Sequence, residues 1–459
     1  MGMQNSPLLM SRLVDRGATV SPNVDIVTAT DEGSRTQTYA QTRDRAHQLA
    51  NALRDAGIRV GDRVGTFMWN GSRHLEAYHA TAGMGAVLHT LNVRLSETDL
   101  EYIINHAGDR LIIADADVLP LLEKLSGRIP TVERIVIATE AGFEGWSTSL
   151  PDAVDYEAFI QGKPAHFEWP EIGENSPLGL CYTSGTTGRP KGVEYEHRSQ
   201  YLHTIAQCMT DSMGLSGADA VCGIVPMFHV MGWGIPWSAL MLGCKQVLPH
   251  RFMDPARLVR LMADEKVTLS AGVPTIWQGV KSAIEANPDA YDLSSLERLT
   301  CGGSAPPSSL IRWYWDELGV EMIQGWGMTE TSPIAAVCNI KSSLSHLDED
   351  AKADLRTTVG LAVPGVDFRV VEPETGEELP WDNESRGELQ VSGPWVAKTY
   401  YNDERANDSF TEDGWLKTGD VATVDSNGYI SLVDRTKDLI KSGGEWVSSV
   451  DLENEIMAH

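Results

Sequence analysis

Positive charge is scarce in this chain. Its 459 residues carry 37 Lys and Arg against 64 Asp and Glu, a net charge of 37 − 64 = −27, and only 12 of those cations are lysine. A nucleic-acid surface needs a basic footprint, so a nucleic-acid partner is excluded, while a local pocket for a small phosphorylated ligand is not. An acid-rich, lysine-poor composition suits a salty cytoplasm, where ions screen self-repulsion. Cysteine is equally sparse. Six are scattered at 181, 208, 222, 244, 301 and 338 with no CxxC pair. This excludes a disulfide framework and a zinc site, and reads as reduced, mostly buried thiols of a cytoplasmic protein. Long apolar runs are missing too. The most apolar stretch, Phe228 to Cys244, is too short to span a bilayer and is broken by His229, Pro236 and three glycines. No basic segment followed by an apolar one marks a secretory leader at the start of the sequence.

What is present is alternation. Apolar residues at 46, 49, 50, 53 and 56 share one face of a helix expected from Thr42 to Gly57. Ser96 opens SETDLEYIINHA with Asp99 at the capping-box offset and Leu100, Ile103 and Ile104 as its buried stripe. Short buried strands follow as RLIIADAD and RIVIAT. From residue 176 the segments LGLCYTS, AVCGIVP, KQVLP, VTLSAGVP and LERLTCGGS repeat the theme, separated by helices such as DPARLVRLMADE. This is the signature of parallel sheets covered by helices. After Thr357 the texture changes to short strands between Gly, Pro and acidic turns (VDFRVVEP, GELQVSG, GYISLVDR), which predicts a smaller β unit. The charged link at 340–356 reads as a surface helix or loop.

The strongest chemical segment is Tyr182 to Gly192, YTSGTTGRPKG. A buried strand delivers hydroxyls at Thr183, Ser184, Thr186 and Thr187, interleaved with Gly185 and Gly188, then a cation at Lys191. Glycines let backbone amides approach an anion, hydroxyls donate hydrogen bonds, and lysine supplies charge. The loop cradles phosphate but is not a Walker A motif, because Pro190 stands where that motif needs glycine.

With this loop the chain combines PMFHV (226–230), CGGSAPP (301–307), GWGMTE (325–330), KTGD (417–420) and DRTKDLIKSGGEWVSSVDLE (434–453). In these segments and their order, it resembles the adenylate-forming superfamily of acyl-CoA synthetases, luciferases and peptide-synthetase adenylation domains. HTLNVRLS, GGSA and DLIKSGGEWVSS look most like medium- and long-chain fatty acyl-CoA synthetases. The fold that the resemblance implies is α/β: a large N-terminal domain, residues 1–435, with two helix-covered β-sheet subdomains to about 355 and a smaller β-barrel-like subdomain over 356–435. Residues 436–459 are then expected to be the hinge and first residues of a C-terminal domain cut short at His459, 22 residues after Lys437.

The resemblance also assigns roles. It implies ATP and AMP as the nucleotide, Mg²⁺ as the metal, and coenzyme A and a carboxylic acid as the other partners, with no membrane span. Some synthetases of this kind pair as homodimers. Trp326, flanked by Gly325 and Gly327, would stack on adenine with Gly302, Gly303 and Ser304 opposite, and Met328 would sit beside it. Thr329 would reach the α-phosphate, and Glu330 with Thr186 would hold magnesium, a hard cation suited to oxygen ligands. Asp420 would accept from the ribose hydroxyls, aided by Arg435, with Lys437, Lys441 and Trp446 lining the nucleotide and acyl site. Lys191, Thr329, Glu330, His229 and Lys441 are the catalytic candidates. His229, Val230, Gly232, Trp233, Gly303 and Gly327 would line an acyl tunnel, in which Trp233 is open to two readings, a gate or a packed aromatic. FHVM lacks the aspartate that pairs an amino group in peptide-synthetase domains, which favours an uncharged acyl chain. The expected activity is an ATP-dependent fatty acyl-CoA synthetase. The alternatives are an ATP- or acyl-AMP-binding module without thioester activity, or a ligase for aryl or methylthioalkanoic acids.

Overall fold

The computed structural model describes residues 2–139, 146–183, 189–403, 408–435, 440–442 and 445–447. Helices form where an apolar stripe recurs at helical spacing and a polar side chain closes the first turn. Helix α1 is Met10–Val20. Helix α2 is Tyr39–Asp55, and it starts before the expected Thr42 because the Thr38 hydroxyl accepts from the Gln41 N–H while the Gln41 side chain accepts from that of Thr38. Its residues Ala46, Leu49, Ala50 and Leu53 are buried as the spacing predicts. Helix α3, Ser72–Gly83, is buried along its whole length, packed on α2 and on strands of both large sheets. Helix α4, Glu97–Ala107, begins at Ser96, whose hydroxyl accepts from the Asp99 N–H at 3.1 Å, and ends at Gly108 with φ of 70°. A left-handed residue at that position is easiest for glycine, which has no Cβ to clash.

The strands assemble into three main sheets. One has nine strands, in which Asp25–Thr30, Lys245–Leu248, Ala220–Gly223, Leu269–Gly272, Arg298–Cys301 and Glu321–Gly327 run parallel and antiparallel strands flank them. A second has seven strands, parallel except where Pro177–Tyr182 meets Gly192–Glu196, the two strands on either side of the phosphate loop. The third is the smaller β unit: Asp367–Val371, Gly387–Ser392, Leu416–Val424 and Ile430–Arg435 pair antiparallel in that order. It is tied to the nine-stranded sheet where Gly360 and Ile430 form an isolated bridge. The 340–356 link is a short helical turn followed by a helix at Glu349–Leu355. All six cysteines are free, and five of them are buried. Among the described residues no helix is long and apolar enough to cross a membrane.

One buried side chain joins the two large sheets at their carboxyl edges. Asn70 follows strand Arg63–Phe67, and its amide nitrogen donates to Gly223 O and Val225 O, both at 2.7 Å. Its amide oxygen accepts from Met227 N at 2.7 Å, and its backbone bridges to His250. An amide can satisfy donors and acceptors on both partners at once, which no apolar residue could do at this junction.

A second knot lies where α1, α2 and α3 meet. Asp15 accepts from His79 Nε2 at 3.0 Å and from the Trp169 indole at 2.7 Å, with His47 Nε2 at 3.7 Å. His47 Nδ1 accepts from Phe167 N at 2.7 Å, so its proton resides on Nε2 and that atom has no lone pair for a metal. The cluster is therefore a latch, not a cation site. Burial alone would raise the Asp15 carboxyl, but hydrogen bonds from His47 and His79 outweigh it and hold it well below the usual range. Burial holds His79 below its ordinary value. A depressed carboxyl contributes stability above its unfolded pKa and loses it as pH falls, and a depressed histidine also favours unfolding once acid can protonate it. As pH falls from about 7, first through the ordinary histidine range and then below about pH 4 where Asp15 loses its contribution, the thermal midpoint of the native chain should therefore fall further than that of an Asp15→Asn/His79→Gln variant. Parallel midpoint-versus-pH curves for the two would count against this latch.

Candidate active site

Ligands of α/β proteins bind in the crevice outside the carboxyl ends of the strands, and here a cavity of about 960 Å³ opens at that place. It lies beyond Gly223, Gly272, Cys301 and Gln324 on one sheet and beyond Tyr182 on the other. Of the residues singled out in the sequence, Thr183, Lys191, His229, Val230, Trp233, Gly302, Gly303, Gly325, Trp326, Gly327, Met328, Thr329, Glu330 and Arg435 all line it. Asp420 stands directly behind, accepting from Trp326 Nε1 at 3.1 Å and facing Arg435 Nε at 3.4 Å. Burial, seconded by the charge of Glu330, pushes the Asp420 carboxyl up against the pull of Arg435 and Trp326.

Two residues lie elsewhere. Ser304 is on the exposed turn beyond the cavity wall. Gly232 turns its open side to Pro236, because Val230 to Gly234 is a left-handed turn with φ between 38° and 72°. That turn sends Val230 and Trp233 to the cavity and Gly232 behind it. Left-handed backbone costs about 1–2 kcal/mol per non-glycine residue, and the surroundings hold it. Gln207 Nε2 donates to Trp233 O at 2.7 Å, and Ser238 Oγ to Gly234 O at 3.1 Å. Ser184, Gly185, Thr186, Thr187, Gly188 and Lys437 lie outside the described residues, as do the side chains of Lys441 and Trp446. The backbones of those two pair opposite each other in a ribbon of Ile440–Ser442 with Glu445–Val447.

The glycines are required by close approach. A Cβ on Gly327 would sit 1.8 Å from Pro333 O, and one on Gly302 would sit 2.8 Å from the Trp233 ring. Strand Glu321–Gly327 runs through Gly325 and Trp326, so the motif is the strand's own end and not the loop after it.

The polar half of the cavity has a spine that the motifs did not reveal. Tyr400, 7% exposed, donates its hydroxyl to Glu330 Oε1 at 2.6 Å, and its ring lies 4.5 Å from Lys191 Nζ. Burial, then the Glu330 charge, keeps that phenol protonated. Tyr195 donates to Thr329 O at 2.8 Å, fixing the turn that carries Thr329 and Glu330. Glu330 is 5% exposed, and among the described residues no cation pairs with it. A buried carboxylate without a cation is costly unless a ligand or metal completes it, so the donor set here fits a hard divalent cation. Asn92, Arg94 and Arg189 also reach the cavity and were missed. Arg94 belongs to the NVRLS segment, but a lone arginine in a sequence does not show what it faces.

The cavity also has apolar lining, with Met213, Val225, Trp233 and Ile334 packed in one hydrophobic cluster and Ile224 and Pro333 also on its walls. His229 lines the same cavity with an open side, and enclosure by the cavity wall, then the charge of Arg94, lower its pKa.

The class defined by this fold and site is a nucleotide-binding α/β enzyme. Residues 14–401 match the AMP-binding enzyme family, and the chain belongs to that family. It is similar to a long-chain-fatty-acid–CoA ligase of Thermus thermophilus, 43% identical over all of this chain and 82% of the relative. It is also similar to a 3-methylmercaptopropionyl-CoA ligase of Ruegeria pomeroyi, 41% identical over all of this chain and 84% of the relative. Among solved structures it is similar to the anthranilate CoA ligase AuaEII in complex with anthranoyl-AMP, with a TM-score of 0.85 and 26% identity over all of this chain and 84% of that one.

Proposed function

We propose that this AMP-binding enzyme is an ATP-dependent fatty acyl-CoA ligase acting on medium- to long-chain acids. One observation carries the reading. A single cavity is lined both by Lys191, Tyr400 and Glu330, which lie side by side, and by an apolar sleeve in which Met213, Val225, Trp233 and Ile334 belong to one hydrophobic cluster. The long-chain ligase among its relatives supports it.

In the first half-reaction a carboxylate oxygen bonds to the α-phosphorus of ATP as the bridging bond to the β-phosphate breaks, giving acyl-AMP and pyrophosphate. The CoA thiol, losing its proton, then bonds to the acyl carbon as the acyl–phosphate bond breaks and AMP leaves. Two anions must be brought together, so positioning and charge neutralisation supply most of the rate. Lys191 provides fixed positive charge beside the hydroxyl-bearing loop. Thr329 donates to the α-phosphate region, Trp326 covers the base, and Asp420 accepts from the ribose with Arg435 alongside. Glu330, with Thr186 as the sequence suggests, would hold Mg²⁺, which would supply positive charge to the phosphates. On this reading residues 1–435 hold the nucleotide and acid, and 436–459 carry the hinge and the opening of a second lobe with Lys437, Lys441 and Trp446.

A panel of acids tests the substrate. Each methylene buried in the sleeve is worth about 0.8 kcal/mol, so kcat/KM for thioester formation should rise about fourfold per added CH₂ from acetate upward until the sleeve is full. Cinnamate and 3-methylmercaptopropionate belong in the same panel, because the Ruegeria relative favours the sulfur-containing acid as a second reading. A flat response from acetate to decanoate, or a maximum at 3-methylmercaptopropionate, would replace the fatty-acid assignment.

A further inference from the structure

Helix α4 touches no part of the cavity, yet both stems of the phosphate loop rest on it. Tyr102 and His106 lie one helical turn apart and share a face. Their rings stack with centroids 5.2 Å apart at 27°. His106 Nδ1 is hydrogen-bonded to the Tyr182 hydroxyl at 2.7 Å, and Tyr182 ends the strand that enters the loop. Arg189, on the stem that leaves it, sets its guanidinium 5.2 Å from the Tyr102 ring. The Tyr401 ring meets His106 edge-on at 5.6 Å, while Tyr401 N donates to Gly192 O at 2.8 Å. The stems are also tied to each other, since Thr183 N donates to Lys191 O at 2.9 Å and Lys191 N to Thr183 Oγ1 at 3.2 Å.

From beneath, Tyr182 is backed by the fully buried His89–Asp109 pair, whose ring lies 5.2 Å away. Burial and the charge of Asp109 keep the phenol of Tyr182 protonated, so it needs a standing partner. His106 is that partner. Tyr182 is half-buried, so its phenol without that partner is poorly solvated, which favours a shift of the stem.

We propose that His106 is a positioning residue for the phosphate loop. Through Tyr182 and, by way of Tyr102, through Arg189, it fixes the two stems that carry Thr183, Arg189 and Lys191 to the cavity, and so sets the affinity for the triphosphate without touching it. This rests on the reading of the loop as the holder of the ATP phosphates. Stems that had to be positioned at the moment of binding would subtract that entropy from the affinity, and stems already held on α4 avoid the loss.

The test uses the full chain and three variants: His106→Phe, which keeps an aromatic ring but has no hydrogen-bonding atom; His106→Asn, whose amide can take the place of Nδ1; and Tyr182→Phe. In acid-dependent ATP–pyrophosphate exchange, His106→Phe should raise KM for ATP about tenfold, with kcat and KM for the acid little changed. Tyr182→Phe should match it, and His106→Asn, which restores the hydrogen bond to Tyr182 but not the stack on Tyr102, should recover most of the loss. Binding of adenosine, which offers no phosphate, should be the same in all four proteins. A lesion that merely loosens the fold would lower kcat and weaken adenosine along with ATP, and that result would overturn the proposal. So would an unchanged KM for ATP in His106→Phe. Absence of exchange in the native chain itself would instead refute the function on which the proposal rests.

Discussion

Replacing Glu330 by glutamine is expected to lower kcat for acid-dependent ATP–pyrophosphate exchange by about 10²–10³-fold, the usual effect of removing one group aimed at developing charge. The substitution is nearly isosteric, and the amide oxygen can still accept from the Tyr400 hydroxyl that now reaches Oε1 at 2.6 Å. The turn should therefore stay in place, held also by Tyr195 on Thr329 O and by Ala397 N on Glu330 O. What is lost is charge. The side chain is 5% exposed, and among the described residues no protein cation pairs with it. A second readout separates charge from shape: ATP should raise the thermal midpoint of the native chain more with magnesium than without, and Glu330→Gln should lose that increment. Native-like exchange, or a magnesium increment that survives, would remove Glu330 from the metal site.

The second large effect is expected at Asp420. Its carboxylate sits beside Trp326 and Arg435, which both line the cavity, with one oxygen taking the indole N–H and the other facing the guanidinium. Hydrogen bonds to a charged group are worth about 1.5–3 kcal/mol each, so Asp420→Asn should raise KM for ATP about 10- to 100-fold. The sharper measurement is selectivity. The native enzyme should discriminate against deoxyadenosine triphosphate, which lacks one ribose hydroxyl, and the variant should lose most of that discrimination because its acceptor is weakened for both nucleotides. Undiminished discrimination in Asp420→Asn would place the ribose elsewhere. Burial pushes the Asp420 carboxyl up, and the charge of Glu330 adds to that push. Their joint demand for positive charge is answered by Arg435 on one side and, on this reading, by magnesium on the other.

Much of this site was legible from local pattern. The strands and helices around YTSGTTGRPKG, CGGSAPP and GWGMTE follow from hydrophobic period, capping residues and glycine, all of which act over a few residues. Ser96 caps α4 and Asp254 caps the Pro255–Asp264 helix as their positions predict. The start of α2 was set too late because Tyr39 and Ala40 precede the apolar stripe, and only the Thr38–Gln41 box fixes the boundary. Gly232 was placed on the tunnel wall because it sits between tunnel residues in sequence. A left-handed turn reverses that reasoning, and nothing local to VMGWG demands such a turn without Gln207 and Ser238 to hold it.

The sequence by itself determined the family and fourteen of the residues that line the cavity. The reason is that these depend on short segments whose residue types are dictated by backbone approach and by donors and acceptors. Only the tertiary structure decided the rest. Tyr400 bridges Lys191 and Glu330 across more than two hundred positions of chain (400 − 191 = 209), Asn70 ties one sheet to the other, and His106 supports a loop that begins 76 residues later (182 − 106). Each of these acts through a hydrogen bond or ring contact between distant segments. Such contacts leave no periodicity in the chain and exist only in the folded molecule: Asn70 acts where the two sheets meet at their carboxyl edges, while His106 meets Tyr182 on the seven-stranded sheet.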